Sequence, residues 1–360
     1  MRKFSLFIFL ISFIGMAACQ PIQAESAAIP TKPTSIQRTK TPVSISPTNT
    51  SVQSTPRLVN TPMPGATSSK RVTLMAVGDI MLGRTIGDLI LEEGYHAPFA
   101  FTAETLSIAD ITIGNLECPI SNQGKAAQKN YVFRAPLEAA KSLSFAGFDI
   151  LSLGNNHILD YGPDALADTL SALKTENIVP VGAGLNENQA YAPQYLDING
   201  LRLAFLSFVD IPTTDFDYLG WEAGTDHPGV AWAHEDRVQE GVQLAKKEAD
   251  IVIVMLHNGY EFWQKVSEQQ QDIAKLAIDS GASLVIGSHP HVLQRIEPYH
   301  EGLIVYSMGN FVFDNFLFPP NYSAILSIEL SPLGIESYEL IQVVVQLNGV
   351  PQIMDYTIEE

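Results

Sequence analysis

From Arg71 onward the chain alternates two kinds of stretch. Short apolar runs end abruptly in glycine or a polar residue, and between them apolar positions recur at helical spacing. The runs 71–79 (RVTLMAVGD), 109–117 (ADITIGNLE), 148–157 (FDILSLGNNH), 250–259 (DIVIVMLHNG), 282–291 (ASLVIGSHPH), 302–314 (GLIVYSMGNFVFD) and 323–330 (SAILSIEL) predict buried strands. Stretches 136–147, 162–177, 234–249 and 268–281 predict helices. The first closes at Gly147, and the second has Pro163 near its start. Within 195–210, Asn199-Gly200 between two alternating runs predicts a tight hairpin, and a closing hairpin is expected around Asn348-Gly349. Helix–strand alternation followed by a strand-rich end predicts an α/β fold with sheets packed between helices.

The first 70 residues follow neither pattern. Arg2 and Lys3 precede an apolar stretch, 4–14, too short for a comfortable membrane span and fitting a signal-peptide core. Ala17 and Ala18 then stand directly before Cys19, as in a bacterial lipobox, with Met16 where leucine is more usual. The expectation is a lipoprotein signal over 1–18 and lipidation at Cys19, several chains giving stable anchoring. Residues 19–70 are rich in Ser, Thr and Pro and lack apolar periodicity, which predicts a disordered tether. The remaining residues, 71–360, are read as one folded domain on the outer face of a bacterial membrane.

Composition narrows the class. The 360 residues are 46% hydrophobic, enough for a sizeable core, and carry a net charge of −18. Of 21 basic and 39 acidic residues, seven and one precede Arg71, leaving 14 against 38 in the folded part. So acidic a surface argues against nucleic acid as a partner. It permits an anionic substrate if bound cations reverse the local field. With only two cysteines, Cys19 and Cys118, no disulfide framework is expected.

The unusual polar residues fall where the predicted strands stop: Asp79, Glu117, Asn156 and His157, His257, His289 and His291, and Asn310. Carboxyl ends of strands line the ligand crevice of α/β sheets, so one sheet system would pool these groups. Two carboxylates, an amide and several imidazoles suit one or two divalent ions such as Mn, Zn or Fe. Two such ions about 3.5–4 Å apart can hold a nucleophile and an electrophilic oxygen together. An imidazole outside the ligand set can protonate a leaving group. His289 and His291 are expected to point to one side of an extended stretch. Arg84 and Arg134 are candidate forked contacts to a carboxylate or phosphate. Asp160 is a candidate orienter of His157, Glu261 a candidate supporting residue, and Asn310 and Asp314 candidate rim residues. Asn155 is assigned to shaping the turn. Cys118 is read as a buried small side chain, with a thiolate ligand as the minor alternative.

The ordered motifs VGDIMLGR, IGNLECPIS, YVFRAP, LSLGNNHILDYG, VMLHNGYEF, IGSHPHVLQ and YSMGNFVFD, over 72–314, resemble the CapA family of poly-γ-glutamate capsule biosynthesis proteins. That family is related to the calcineurin-like metallophosphoesterases. The resemblance implies a metallophosphoesterase-like two-sheet sandwich flanked by helices, a four-layer α/β/β/α arrangement with a metal centre at the strand ends. By motif, Asp79 stands for the first aspartate, Asn156 for the amide ligand, His157 for the catalytic imidazole, His257 for the lone histidine ligand, and His289 with His291 for the final pair. Met81 replaces a second histidine of the first motif. The bridging position falls on Asn115 or Glu117, with Glu117 preferred because a bridge between cations gains most from negative charge. The implied function is a metal-dependent hydrolase or transferase handling an anionic polymer or phosphorylated substrate, alongside other capsule-synthesis membrane subunits. The alternatives are a non-catalytic assembly or polymer-handling subunit with a degraded metal site, and a lipid-anchored binding protein.

Overall fold

In the computed structural model of the chain, residues 70–213, 216–314 and 318–354 are described. The expected signal, Cys19 and the tether up to Ser69 lie outside the described residues. The chain enters a first sheet at β1 (Val72–Ile80) and runs through α1 (Arg84–Glu93) and α2 (Ala103–Leu106) to β2 (Ile111–Leu116). It continues through α3 (Ala139–Phe145), β3 (Ile150–Ser152), α4 (Pro163–Thr175) and β4 (Val179–Val181). After β5 (Ala183–Gly184) and α5 (Glu187–Ala190), the hairpin β6 (Gln194–Ile198) and β7 (Leu201–Asp210) opens a second sheet. Asn199 and Gly200 take φ of 50° and 82°, the left-handed pair that the Asn-Gly signal demands. β8 (Gly229–Val230) pairs with β5, and the second sheet continues through α6 (Glu235–Glu248), β9 (Ile251–Asn258), α7 (Glu268–Asp279), β10 (Leu284–Ser288), β11 (Ile296–Tyr299) and β12 (Gly302–Val305). The chain then returns to the first sheet with β13 (Asn310–Val312), β14 (Tyr322–Ser331), β15 (Gly334–Val345) and β16 (Pro351–Ile353).

The first sheet has the order β16-β15-β14-β1-β2-β3-β4, with β13 against β1, and the second β11-β12-β10-β9-β7-β6. Side-chain alternation along the strands sorts the core into three apolar layers. Leu74, Ala76, Ile111 and Ile113 meet Leu203, Phe205, Ile253 and Met255 between the sheets. Met75, Val77 and Leu151 face Ile86, Leu143 and Leu166 of α1, α3 and α4. Ala204, Leu206, Val252 and Val254 face Val238, Val242, Ile273 and Ala277 of α6 and α7. The architecture is therefore the expected α/β/β/α, a two-sheet sandwich between helices.

One expected strand divides. The run 302–314 becomes β12 in the second sheet and β13 in the first. The crossover is tight. Asp79 N–H donates to Gly309 O at 2.9 Å, and a Cβ on Gly78 would lie 1.9 Å from that oxygen. Only glycine permits that approach, and it places Asn310 in register with Asp79. The parallel strands β1, β2, β3, β9 and β10 all end at the same edge of the sandwich, where the polar residues gather.

Candidate metal centre

Asp79 is the penultimate residue of β1, Glu117 follows β2, and His257 lies near the end of β9. All three are fully buried, and one ligand-type atom from each lies within 4.8 Å of the others. Around His257 the donors converge further: its Nε2 is 2.8 Å from Asn156 Oδ1 and 3.5 Å from Glu117 Oε1. Ser288 Oγ, 2.9 Å from Nδ1, holds the ring from behind. Asn115 donates its side-chain amide to Asp79 Oδ1 at 2.8 Å and to Glu117 Oε2. It thus holds the two carboxylates, while Glu117 joins the three-residue group.

Two buried atoms of this cluster, Glu117 Oε1 and His289 Nδ1, have no hydrogen-bond partner. A buried unpaired polar atom costs free energy of order 1–3 kcal/mol, more when charged. Burial first, then the charge of Asp79, raises the Glu117 carboxyl well above its usual range. Burial also lowers His257 and His289 well below theirs, so both present neutral nitrogens. Two enclosed carboxylates beside neutral imidazoles and an amide oxygen are the donor set a divalent cation takes, and a cation would satisfy the orphaned atoms.

The histidine pair departs from the extended geometry expected of it. β10 ends at Ser288, and His289 and His291 take φ of 93° and 57°. Left-handed backbone at non-glycine residues is strained and persists where the surroundings enforce it. The kink still serves convergence: the His289 ring lies 4.8 Å from that of His257 and 6.2 Å from that of His291. His289 N–H reaches Asp79 Oδ2 at 3.3 Å, and His291 Nδ1 lies 3.3 Å from the same oxygen. Burial pushes His291 down, but its contacts with Asp79 outweigh it and leave the group raised.

His157 stands beside this cluster. Its Nδ1 is 2.7 Å from Asp160 Oδ2, an acceptor that also takes Phe133 N–H at 2.6 Å. The Phe133 ring stacks on the imidazole at 4.1 Å. The carboxylate favours the tautomer with the proton on Nδ1, against the Lys129 ammonium 3.3 Å from the same nitrogen, and that tautomer leaves Nε2 as the basic nitrogen. Burial, acting against the Asp160 charge, pushes His157 down to about 4. At neutral pH the ring is therefore uncharged. Asn155 has a larger part than shaping a turn. Its Oδ1 accepts from His157 and Ile158 N–H, and its amide donates to Asn115 Oδ1 at 3.0 Å and Leu116 O at 2.8 Å.

Sequence reasoning missed Lys129. Its side chain is 3% exposed, with Nζ 2.6 Å from Asp160 Oδ1 and donating to Asn156 O at 2.5 Å. The rings of Tyr218 and Trp221 lie 5.1 and 5.0 Å from the ammonium. The lysine sits in a polar loop with no periodic signal, and only the fold brings it to Asp160. Of the candidate substrate contacts, Arg84 reaches the site, pairing with Asp314 over the rings of Phe133 and Phe313. Arg134 does not: it lies 4.1 Å over Tyr161 and donates to Gln123 O. Asn310 is buried and spent on His291, its Oδ1 2.8 Å from Nδ1, so it orients a histidine instead of lining the rim. Met81 is buried, its sulfur accepting Gly83 N–H at 3.1 Å. Cys118 accepts Leu82 N–H, and burial pushes its thiol up to about 12, so it is a neutral core side chain.

Residues 73–315 match the family described as "Bacterial capsule synthesis protein PGA_cap". The chain is 34% identical over 292 residues to the capsule biosynthesis protein CapA of Bacillus anthracis, covering 79% of this chain and 70% of that protein. It is 34% identical over 267 residues to the PGA biosynthesis protein CapA of Bacillus subtilis, covering 73% and 69%. A hypothetical protein of known structure from Thermus thermophilus aligns over 75% of this chain and 98% of its own, at 16% identity and a TM-score of 0.48.

Proposed function

The chain belongs to the bacterial capsule synthesis protein family, and from that premise we propose that it is a metal-dependent hydrolase or transferase of capsule polymer synthesis, held at the outer membrane face through Cys19. The observation that carries the reading is the buried Asp79–Glu117–His257 group with an orphaned carboxylate oxygen. Asp79, Glu117, Asn156, His257 and the His289–His291 pair are the residues that would hold one or two divalent ions. A bound ion supplies Lewis-acid polarisation of a phosphoryl or carbonyl oxygen and makes water a nucleophile near neutral pH.

The chain's own groups divide the remaining work. Asp160 holds the His157 proton on Nδ1, and Nε2 takes a proton from the attacking nucleophile and returns it to the leaving group. Phe133 covers one face of the imidazole and keeps water from it. Lys129 balances the Asp160 charge, which a buried carboxylate requires. Arg84, already paired with Asp314 at the cavity wall, offers an anionic substrate only its remaining guanidinium N–H groups.

The reading is tested with purified protein and added Mn or Zn, assayed on a phosphoester and on a γ-glutamyl amide polymer. Turnover of either, lost with chelator and in His157→Ala and Glu117→Gln, is expected. Equal turnover in both variants overturns the assignment. A non-catalytic polymer-handling subunit is the second reading, favoured by Met81, a buried thioether that stands where the resemblance implies a second histidine. It predicts metal or polymer binding with no turnover of either substrate.

A further inference from the structure

Outside the metal centre, an open groove of about 1300 Å³ follows α7, lined from Glu268 to Asp279. That helix of 12 residues is about 18 Å long, so the groove takes an extended ligand. Its volume exceeds the roughly 300–1,000 Å³ of a pocket for one small molecule. The loop before α7, 259–266, adds Tyr260 and Trp263 to the wall. Their ring centroids are 4.8 Å apart and the planes 31° from parallel, yet both residues stay exposed, at 39% and 54%. They form a platform, not a cage.

The platform is fastened from beneath. Buried Gln270 donates to Asn258 O and to Gln294 Oε1, and Gln294 in turn donates to Trp263 O at 2.7 Å. Phe262 N–H donates to Pro290 O at 2.8 Å, and Phe262 takes a left-handed φ of 65°. Strain of that kind persists where the surroundings enforce it, and it clusters at functional sites. A surface held this way loses little conformational freedom when a ligand binds.

Charge and hydrogen bonding narrow the ligand. Five carboxylates and two lysines line the groove, so a polyanion is repelled. Lys275 is paired with Glu297, and the Gln269 amide is spent on Asp210. Glu235, Glu268 and Asp272 keep their carboxylates unpaired among the described residues. An ionised carboxylate only accepts, so the rim calls for a ligand rich in donors. A pyranose ring supplies both features. Its hydroxyl edge donates, and its C–H face packs on the negative face of an aromatic ring. A basic peptide would meet Lys265 and Lys275 in the same wall. We propose that the groove along α7 binds a neutral glycan strand, one sugar stacked on the Tyr260–Trp263 platform and its hydroxyls on the carboxylates of Glu268 and Asp272. The site is separate from the metal centre and needs neither metal nor turnover.

The test is calorimetric titration of the full chain with two neutral β-linked oligosaccharides, chitohexaose and cellohexaose. Saturable binding of at least one is expected, with the difference between them reporting whether the acetamido group is read. Trp263→Ala weakens that binding about tenfold, and Trp263→Tyr restores most of it. Asp272→Ala, on the exposed face of α7, weakens it about threefold or more. An unchanged urea midpoint shows that each variant folds. Should Trp263→Ala not fold, Tyr260→Ala removes the other ring and carries the same expectation. No saturable binding of either oligosaccharide at millimolar concentration overturns the proposal, as does wild-type affinity in Trp263→Ala. Decalysine and decaproline, titrated alongside, represent a basic and a proline-rich peptide. Binding of either that depends on Trp263, without binding of a glycan, also overturns it.

Discussion

Replacing Lys129 by methionine removes an ammonium from beside a buried carboxylate while keeping most of the side-chain volume. In the native chain Nζ is 2.6 Å from Asp160 Oδ1, and the two side chains are 3% and 0% exposed. Burial lowers the lysine from its usual range, and the Asp160 charge opposes that shift. Breaking a buried pair from one side costs about 3–5 kcal/mol, because the surviving charge is left without its partner. The hydrogen bond to Asn156 O is lost as well. The aromatic neighbours Tyr218 and Trp221 accept a thioether, so packing loss adds little. Lys129→Met is therefore expected to lose about 3–5 kcal/mol in urea denaturation of metal-free protein. The double variant Lys129→Met/Asp160→Asn recovers much of this, since no unpaired charge remains. The double-mutant cycle then gives a coupling energy well above 1 kcal/mol. A loss below about 1 kcal/mol with no coupling refutes the reasoning, for it would mean that water reaches the pair and screens it.

Three further outcomes follow from the same geometry. His157 has a folded-state value of about 4 against about 6.5 when unfolded, so below pH 6.5 the unfolded chain binds the extra proton first. Metal-free stability attributable to this group is intact above pH 6.5 and falls, by up to about 3 kcal/mol, as pH drops to 4. Asp160→Ala removes the charge that holds His157 up, so urea unfolding curves across pH should show the loss extending to lower pH, and a smaller loss would contradict the assignment. Gly78→Ala drives a methyl to 1.9 Å from Gly309 O, a backbone atom that cannot yield cheaply. Urea curves should show a loss of more than 3 kcal/mol or no folded protein. Cys118, held near 12, should resist a thiol-alkylating reagent in the folded chain and react on denaturation, which mass spectrometry reads directly.

Much of the site is legible in the sequence because strand ends announce themselves. Asp79, Glu117, Asn156, His257, His289 and His291 each follow an apolar run, and parallel strands deliver their carboxyl ends to one edge. The Asn-Gly hairpin at Asn199 was readable for the same local reason, a fixed backbone requirement. What local pattern does not carry is the return of the chain between sheets at Gly309, which one continuous apolar run conceals. Lys129 is similarly invisible, because its role comes from tertiary contact with Asp160 and no periodicity marks it. Arg134 and Asn310 show the converse. Their side chains suit a substrate, but Tyr161 and His291 occupy them. The charge state of His157 also depends on burial, which no local pattern carries.

The account turns on whether the enclosed carboxylates and imidazoles hold a cation. Calorimetric titration of Mn or Zn into chelator-treated protein, with elemental analysis of the product, tests this most directly. The account predicts one or two ions bound per chain, with affinity falling at least about tenfold in Glu117→Gln and in Asp79→Asn. Absence of binding by the wild-type chain, or the same affinity in all three proteins, contradicts it.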